Sequence, residues 1–164
     1  VWLITNKKAS GKPRLEYDQA VEEALCFGWV DSRPNKLDDE RSRLWFAPRK
    51  PGSNWSRPNK QRAEKMIAAG LMAPAGLARV EAAKQDGSWT ALDEVEALAV
   101  PPDLAAALAV DPQAAAFWDA FPRSVRRGIL EWILNARTAE TRARRVEETA
   151  RLAAQNIRAN QWRR

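Results

Sequence analysis

Tyr17-Asp18-Gln19-Ala20-Val21-Glu22-Glu23-Ala24-Leu25-Cys26-Phe27-Gly28-Trp29-Val30-Asp31 holds a helix, its stop and the start of a strand. Val21, Ala24, Leu25 and Gly28 recur at i, i+3, i+4 and i+7, which predicts a helix over residues 17–27 with one apolar face. Gly28 suits the left-handed position that commonly closes a helix. Trp29-Val30-Asp31-Ser32 then reads as a strand, with Trp29 and Asp31 on the same side of it because strand side chains alternate.

Upstream, Val1 to Thr5 reads as a strand and residues 6–13 as a basic, turn-rich loop. Downstream, residues 33–41 form a polar connection and residues 42–48 another strand, which predicts an antiparallel hairpin with a long loop. Pro48, Pro51, Gly52 and Pro58 mark an ordered loop. Ser56 is a candidate cap for a helix running to about Ala69, where Gly70 ends it. Pro74 opens the next helix, which ends near Asp86-Gly87, and residues 88–98 read as a linker.

The remainder is helical. Pro101-Pro102, Asp111-Pro112 and Pro122 each start a helix, and Thr138 caps a last one with Val146, Ala150, Ala153 and Ile157 on its stripe. Residues 160–164 read as a frayed tail. The expected fold class is α+β: a small antiparallel sheet packed on helices in residues 1–72, followed by a mostly helical portion in residues 73–164.

The 164 residues are 45% hydrophobic and 29% charged, which suits a soluble chain able to bury a core. There is no histidine, which excludes Ser-His-Asp and Cys-His catalysis. One cysteine, Cys26, excludes an internal disulfide, and without histidine it excludes a structural zinc site. No metal and no cofactor are expected. No apolar run is long enough to cross a bilayer, so no membrane insertion is expected and the expected compartment is the cytoplasm. The start at Val1-Trp2-Leu3-Ile4, already strand-like, reads as a truncated N-terminus.

Charge is segregated. Residues 1–72 carry 14 Lys and Arg against 9 Asp and Glu, residues 73–121 carry 2 against 8, and residues 122–164 carry 11 against 4. The two basic parts suit an anionic partner or attraction to the acidic middle.

Trp45-Phe46-Ala47-Pro48-Arg49-Lys50-Pro51-Gly52-Ser53-Asn54-Trp55-Ser56 adds indole rings and cations to the stretch around Trp29. Indole faces stack on flat rings and guanidinium groups, and arginine forks onto phosphate or carboxylate. The candidate ligand-binding residues are Trp29, Asp31, Arg43, Arg49, Lys50, Asn54 and Trp55, with an anionic small molecule as ligand. The blander alternative puts the rings in the sheet core and pairs Asp31 with an arginine such as Arg43. Alanine at both Arg49 and Trp55 is expected to leave folding intact and remove binding. A second class, nucleic-acid binding, would use Arg123, Arg126, Arg127, Arg142, Arg144 and Arg145 on basic helical faces; it is not favoured, since no recognition-helix signature accompanies them. An enzyme would need Asp31, Tyr17 or a lysine as its acid–base group. No catalytic residues are assigned.

The block from Tyr17 to Asp31, the block from Phe46 to Ser56, the segments Met72-Ala73-Pro74-Ala75-Gly76-Leu77 and Asp86-Gly87-Ser88-Trp89, and Val100-Pro101-Pro102-Asp103-Leu104 with Ala116-Phe117-Trp118 and residues 136–145, resemble in order the YdeI/OmpD-associated family, also labelled bacteriocin-protection proteins. The resemblance implies a stress-response or antimicrobial-peptide-protection role and supplies no catalytic residues or cofactor. Its members begin some tens of residues earlier, in line with a truncated start. Its periplasmic label differs from the compartment expected above. The first half is also similar to YdhG-like domains, whose sheet and helices are akin to the frataxin fold. The basic first half argues against the iron binding of frataxins.

Overall fold

The structure, a computed structural model, describes residues 1–161; the last three positions of the expected tail, 162–164, lie outside them. The described residues form four antiparallel strands and eight α-helices. The chain divides into two compact units, Val1–Ala91 and Leu92–Arg164.

In the first unit, β1 (Trp2–Asn6), β2 (Trp29–Asp31), β3 (Asn35–Lys36) and β4 (Arg41–Pro48) join α1 (Tyr17–Cys26), α2 (Arg57–Ala68) and α3 (Pro74–Asp86). β4 is the central strand, with β1 on one edge and β2 and β3 on the other, all antiparallel. The hairpin of β2 and β4 forms as expected. The polar connection between them additionally holds β3, which pairs Asn35 with Arg43 and Lys36 with Ser42.

Alternation along β4 separates two faces. Leu44 and Phe46 are buried together with Val21 and Leu25 of α1, Ala63 of α2 and Val80 of α3. Arg43 and Trp45 therefore point to the opposite face, as the period of two requires. Residues directly opposite in the ladder share a side. Asp31 faces Phe46, which puts it on the helix side, whereas Arg43 faces Ile4 and Asn35 on the outer side.

α1 ends at Cys26, one residue before the expected Phe27, and Gly28 takes the left-handed conformation at φ 76. The Cys26 carbonyl then accepts the Ala73 amide at 3.1 Å, so the C-terminal end of α1 meets the N-terminal end of α3. Opposite dipole ends and unsatisfied backbone groups are matched there. The approach is so close that a Cβ on Gly76 would lie 2.2 Å from the Cys26 oxygen. Ser56 caps α2 by position alone, without a side-chain hydrogen bond.

The second unit is helical: α4 (Asp93–Ala97), α5 (Pro102–Ala109), α6 (Pro112–Ala120), α7 (Arg123–Leu134) and α8 (Ala139–Ala153). The expected caps are made. Asp111 accepts the Gln113 amide at 2.8 Å, and Thr138 accepts the Thr141 amide at 3.1 Å. α4 lies within the segment read as linker; its Val95 and the preceding Leu92 are buried with Leu104, Trp118, Ile129 and Ile133. Two apolar residues in an acidic stretch are too few to show a period, but enough to anchor one helical turn. No helix among the described residues is long and apolar enough to cross a membrane.

Candidate functional site

The fold distributes the seven candidate residues over three places. The first is the segment after β4. The Arg49 amide bonds to the Gly28 carbonyl at 2.9 Å, which carries the β2–β4 ladder one step further. The Arg49 side chain is only 4% exposed. Its guanidinium lies 3.9 Å over the Trp55 ring and donates to the Asn54 carbonyl at 3.1 Å. Arg49 thus clamps the loop that Pro51 and Gly52 turn. Burial pushes its pKa down to about 10, a fall that the negative charge of Asp31 opposes. It remains cationic at neutral pH. Among the described residues Arg49 makes no ion pair, and its Nε has no hydrogen-bond partner.

Trp55 itself is 1% exposed, with Trp89 packed 4.9 Å from it on ring centroids. Between Arg49 and Trp89 the ring is a core element. Lys50 is exposed, and its carbonyl accepts the Ser53 hydroxyl at 2.7 Å.

The second place is the helix side of the sheet. The Tyr17 hydroxyl, in the first turn of α1, donates to Asp31 at 2.6 Å. Partial burial and the Asp31 carboxylate together push the Tyr17 pKa up to about 12. Asp31 thus takes Tyr17 as its partner, and the pairing with Arg43 is excluded by strand parity. Trp29 sits further along the same side and lines an apolar cleft of about 730 Å³ with Leu15, Phe27 and Phe46.

The third place is the outer face. Arg43 lies 4.6 Å over the ring of Trp2, and Trp2 stands opposite Trp45 in the ladder. The two indoles meet edge to face, 5.2 Å between centroids. Trp2 is 45% exposed, Trp45 40% and Ile4 51%. Arg43 makes no ion pair among the described residues, and its Nε is buried without a partner. Arg43 also borders a cleft of about 250 Å³ that Leu3, Tyr17, Ala20 and Leu44 place on the helix side of the sheet, lined further by Lys7, Lys8 and Arg14 and by no carboxylate. The Lys7 ammonium there donates to the Asp38 carbonyl, and Arg14 pairs with Glu16. Of the seven candidates only Arg43 belongs to this surface. Trp2 and Trp45 went unselected because a ring's sequence neighbours do not show its side. Counting by two from the apolar Leu44 and Phe46 would have found Trp45.

The basic helical faces of the second unit are largely engaged. Arg127 pairs with Glu96 at 2.9 Å and Glu131 at 2.8 Å, and Arg142 with Asp103 at 2.7 Å. Arg126 reaches Asp119 at 3.7 Å, and Arg145 donates to the Trp132 carbonyl and lies 4.9 Å over that ring. A cleft of about 810 Å³ between α5, α6 and α8 is floored by Ala107, Ala114, Val146 and Ala150. No group of three or more carboxylate or cysteine side chains that could hold a metal occurs among the described residues.

No curated protein and no solved structure matches the chain. Residues 1–79 match the model of a domain family of unknown function, DUF8412. Residues 97–156 match the model of the family described as bacteriocin-protection, YdeI or OmpD-associated, and over that helical segment the chain is similar to YdeI/OmpD-associated proteins.

Proposed function

We propose that the protein is a non-enzymatic binding protein whose first unit takes an anionic ligand with a flat ring on the outer face of its sheet. The observation that carries this reading is the grouping of Trp2, Trp45 and Arg43: two half-exposed indoles side by side, and a guanidinium with no carboxylate partner among the described residues. Exposed indoles offer faces for stacking, and an unneutralised cation beside them favours a ligand carrying negative charge.

Isothermal titration calorimetry with AMP and UMP at low salt tests the reading. Adenosine, uridine and inorganic phosphate serve as the uncharged and ringless comparisons. Binding in the millimolar range or tighter is expected for the nucleotides, weaker for each comparison, and weaker again in Trp45→Ala and Arg43→Gln. Equal affinity for nucleotides and nucleosides, or wild-type affinity in both variants, refutes it.

A further inference from the structure

Ladder register assigns the outer face a defined set of side chains. β1 contributes Trp2, Ile4 and Asn6, β4 contributes Arg41, Arg43 and Trp45, and β3 contributes Asn35 opposite Arg43. Val30 opposite Ala47 completes the β2 edge. None of these positions is a carboxylate. Side chains on one face of a strand recur about every 6.8 Å, so the row from Arg41 to Trp45 spans about 14 Å. Arg41 is held by Asp38 at 2.7 Å, while Arg43 is not held by any carboxylate of the described residues. The helices of this unit pack on the other side, against Leu44 and Phe46.

We infer that this face binds single-stranded nucleic acid, with bases stacking on Trp2 and Trp45 and Arg43 meeting the phosphates beside them. The inference rests on the reading above and names its ligand. Three physical points favour a single strand over other anions. Two neighbouring indoles suit two successive bases, and a sheet that offers aromatic rings on its open face commonly stacks two or three bases. A duplex keeps its base faces stacked internally, so the exposed indole faces would have nothing to stack on. An acidic peptide would satisfy Arg43 but would leave the two indoles without flat partners. Stacking of this kind tolerates any base, since every base has a π-face. No sequence preference is expected.

Fluorescence anisotropy with labelled dT8 and rU8, on the full chain at low salt, tests the inference. Micromolar affinity is expected for both, at least 10-fold tighter than for UMP and than for a DNA duplex of the same length. Trp45→Ala is expected to lose about 10-fold or more and Trp45→Phe to stay near wild type. Affinity should fall with salt, and Arg43→Gln should reduce the slope of log K against log salt by about 0.7, the loss of one phosphate contact on a single strand. Circular dichroism melts establish that each variant is folded. If the octamers bind no more tightly than UMP, or the duplex binds equally well, or Trp45→Ala binds as wild type, the inference is overturned while nucleotide binding stands. If neither octamers nor mononucleotides bind, both readings fall together.

Discussion

Replacing Gly76 by alanine should destabilise the first unit, although Gly→Ala inside a helix ordinarily does the opposite. Alanine in place of an exposed helical glycine gains about 1 kcal/mol. Here the added Cβ would stand 2.2 Å from the Cys26 oxygen, 2.7 Å from the Cys26 carbonyl carbon and 2.8 Å from the Leu25 oxygen. Ordinary contact begins near 3.4 Å, so α3 must withdraw from α1 by more than 1 Å. All three atoms are backbone, and no rotamer change relieves them. Overpacking of this kind costs roughly 1–3 kcal/mol and occasionally more. Withdrawal also stretches the bond from the Ala73 amide to the Cys26 carbonyl, worth about 1 kcal/mol. Net of the helical gain, Gly76→Ala should lose about 1–3 kcal/mol.

Gly128 supplies the comparison. It lies in α7, and a Cβ there would meet nothing within 4 Å. Gly128→Ala should be neutral or gain up to about 1 kcal/mol. Urea unfolding followed by circular dichroism reads both variants, and hydrogen exchange localises the change. Protection should fall over residues 17–26 and 74–86 in Gly76→Ala. A midpoint for Gly76→Ala at or above that of the wild type would refute the close contact of α1 with α3.

Tyr17 is the only tyrosine of the chain, so ultraviolet titration reads its hydroxyl alone. Its pKa is raised to about 12 from the usual 10, so the proton is held longer in the folded state than in the unfolded one. The stabilising effect is complete below pH 10 and is lost as pH rises toward 12. Asp31→Asn should shift the absorbance midpoint back toward 10, and an unchanged midpoint would show that the hydrogen bond is not what holds it. Trp55→Ala should destabilise by about 3–5 kcal/mol, the usual cost of removing a buried indole, whereas Trp45→Ala should lose about 1 kcal/mol. Thermal or urea melts that rank the two the other way would contradict the assigned faces.

Most of the fold was legible because its signals are local. The 3.6 period of Val21, Ala24 and Leu25, the stop at Gly28 and the Pro and Asp starts of the later helices act within one or two turns, and each appears where it was read. The site was less legible because it depends on what packs against what. The sequence groups Arg49, Lys50, Asn54 and Trp55; in the fold Arg49 and Trp55 turn inward with the Asn54 carbonyl on the Arg49 guanidinium, while Lys50 stays exposed. Trp89, from a segment more than thirty residues away, closes the second side of Trp55, and no local pattern announces that contact. Asp31 found its partner in Tyr17, fourteen positions back, through the packing of α1 on the sheet.

The same parity that fixes the fold also bears on whether the outer face has a use. With Leu44 and Phe46 directed inward, residues 43 and 45 must face out, since a slip of one residue would bury Arg43 and expose Phe46. That constraint asks only for residues that tolerate solvent. Threonine or lysine would satisfy it, and neither position 45 nor position 2 opposite it calls for tryptophan on packing grounds. Two indoles in facing positions can still be explained without a ligand, since a cross-strand aromatic pair stabilises a sheet by about 0.5–1.5 kcal/mol. The two accounts separate cleanly. A purely structural pair moves stability by that amount and leaves affinity for a stacked ring untouched. A binding platform loses about tenfold in affinity at Trp45→Ala and keeps it in Trp45→Phe, whose ring still stacks. On the binding account Arg43 supplies the charge for the ligand, since no carboxylate among the described residues pairs with its guanidinium beside the indoles.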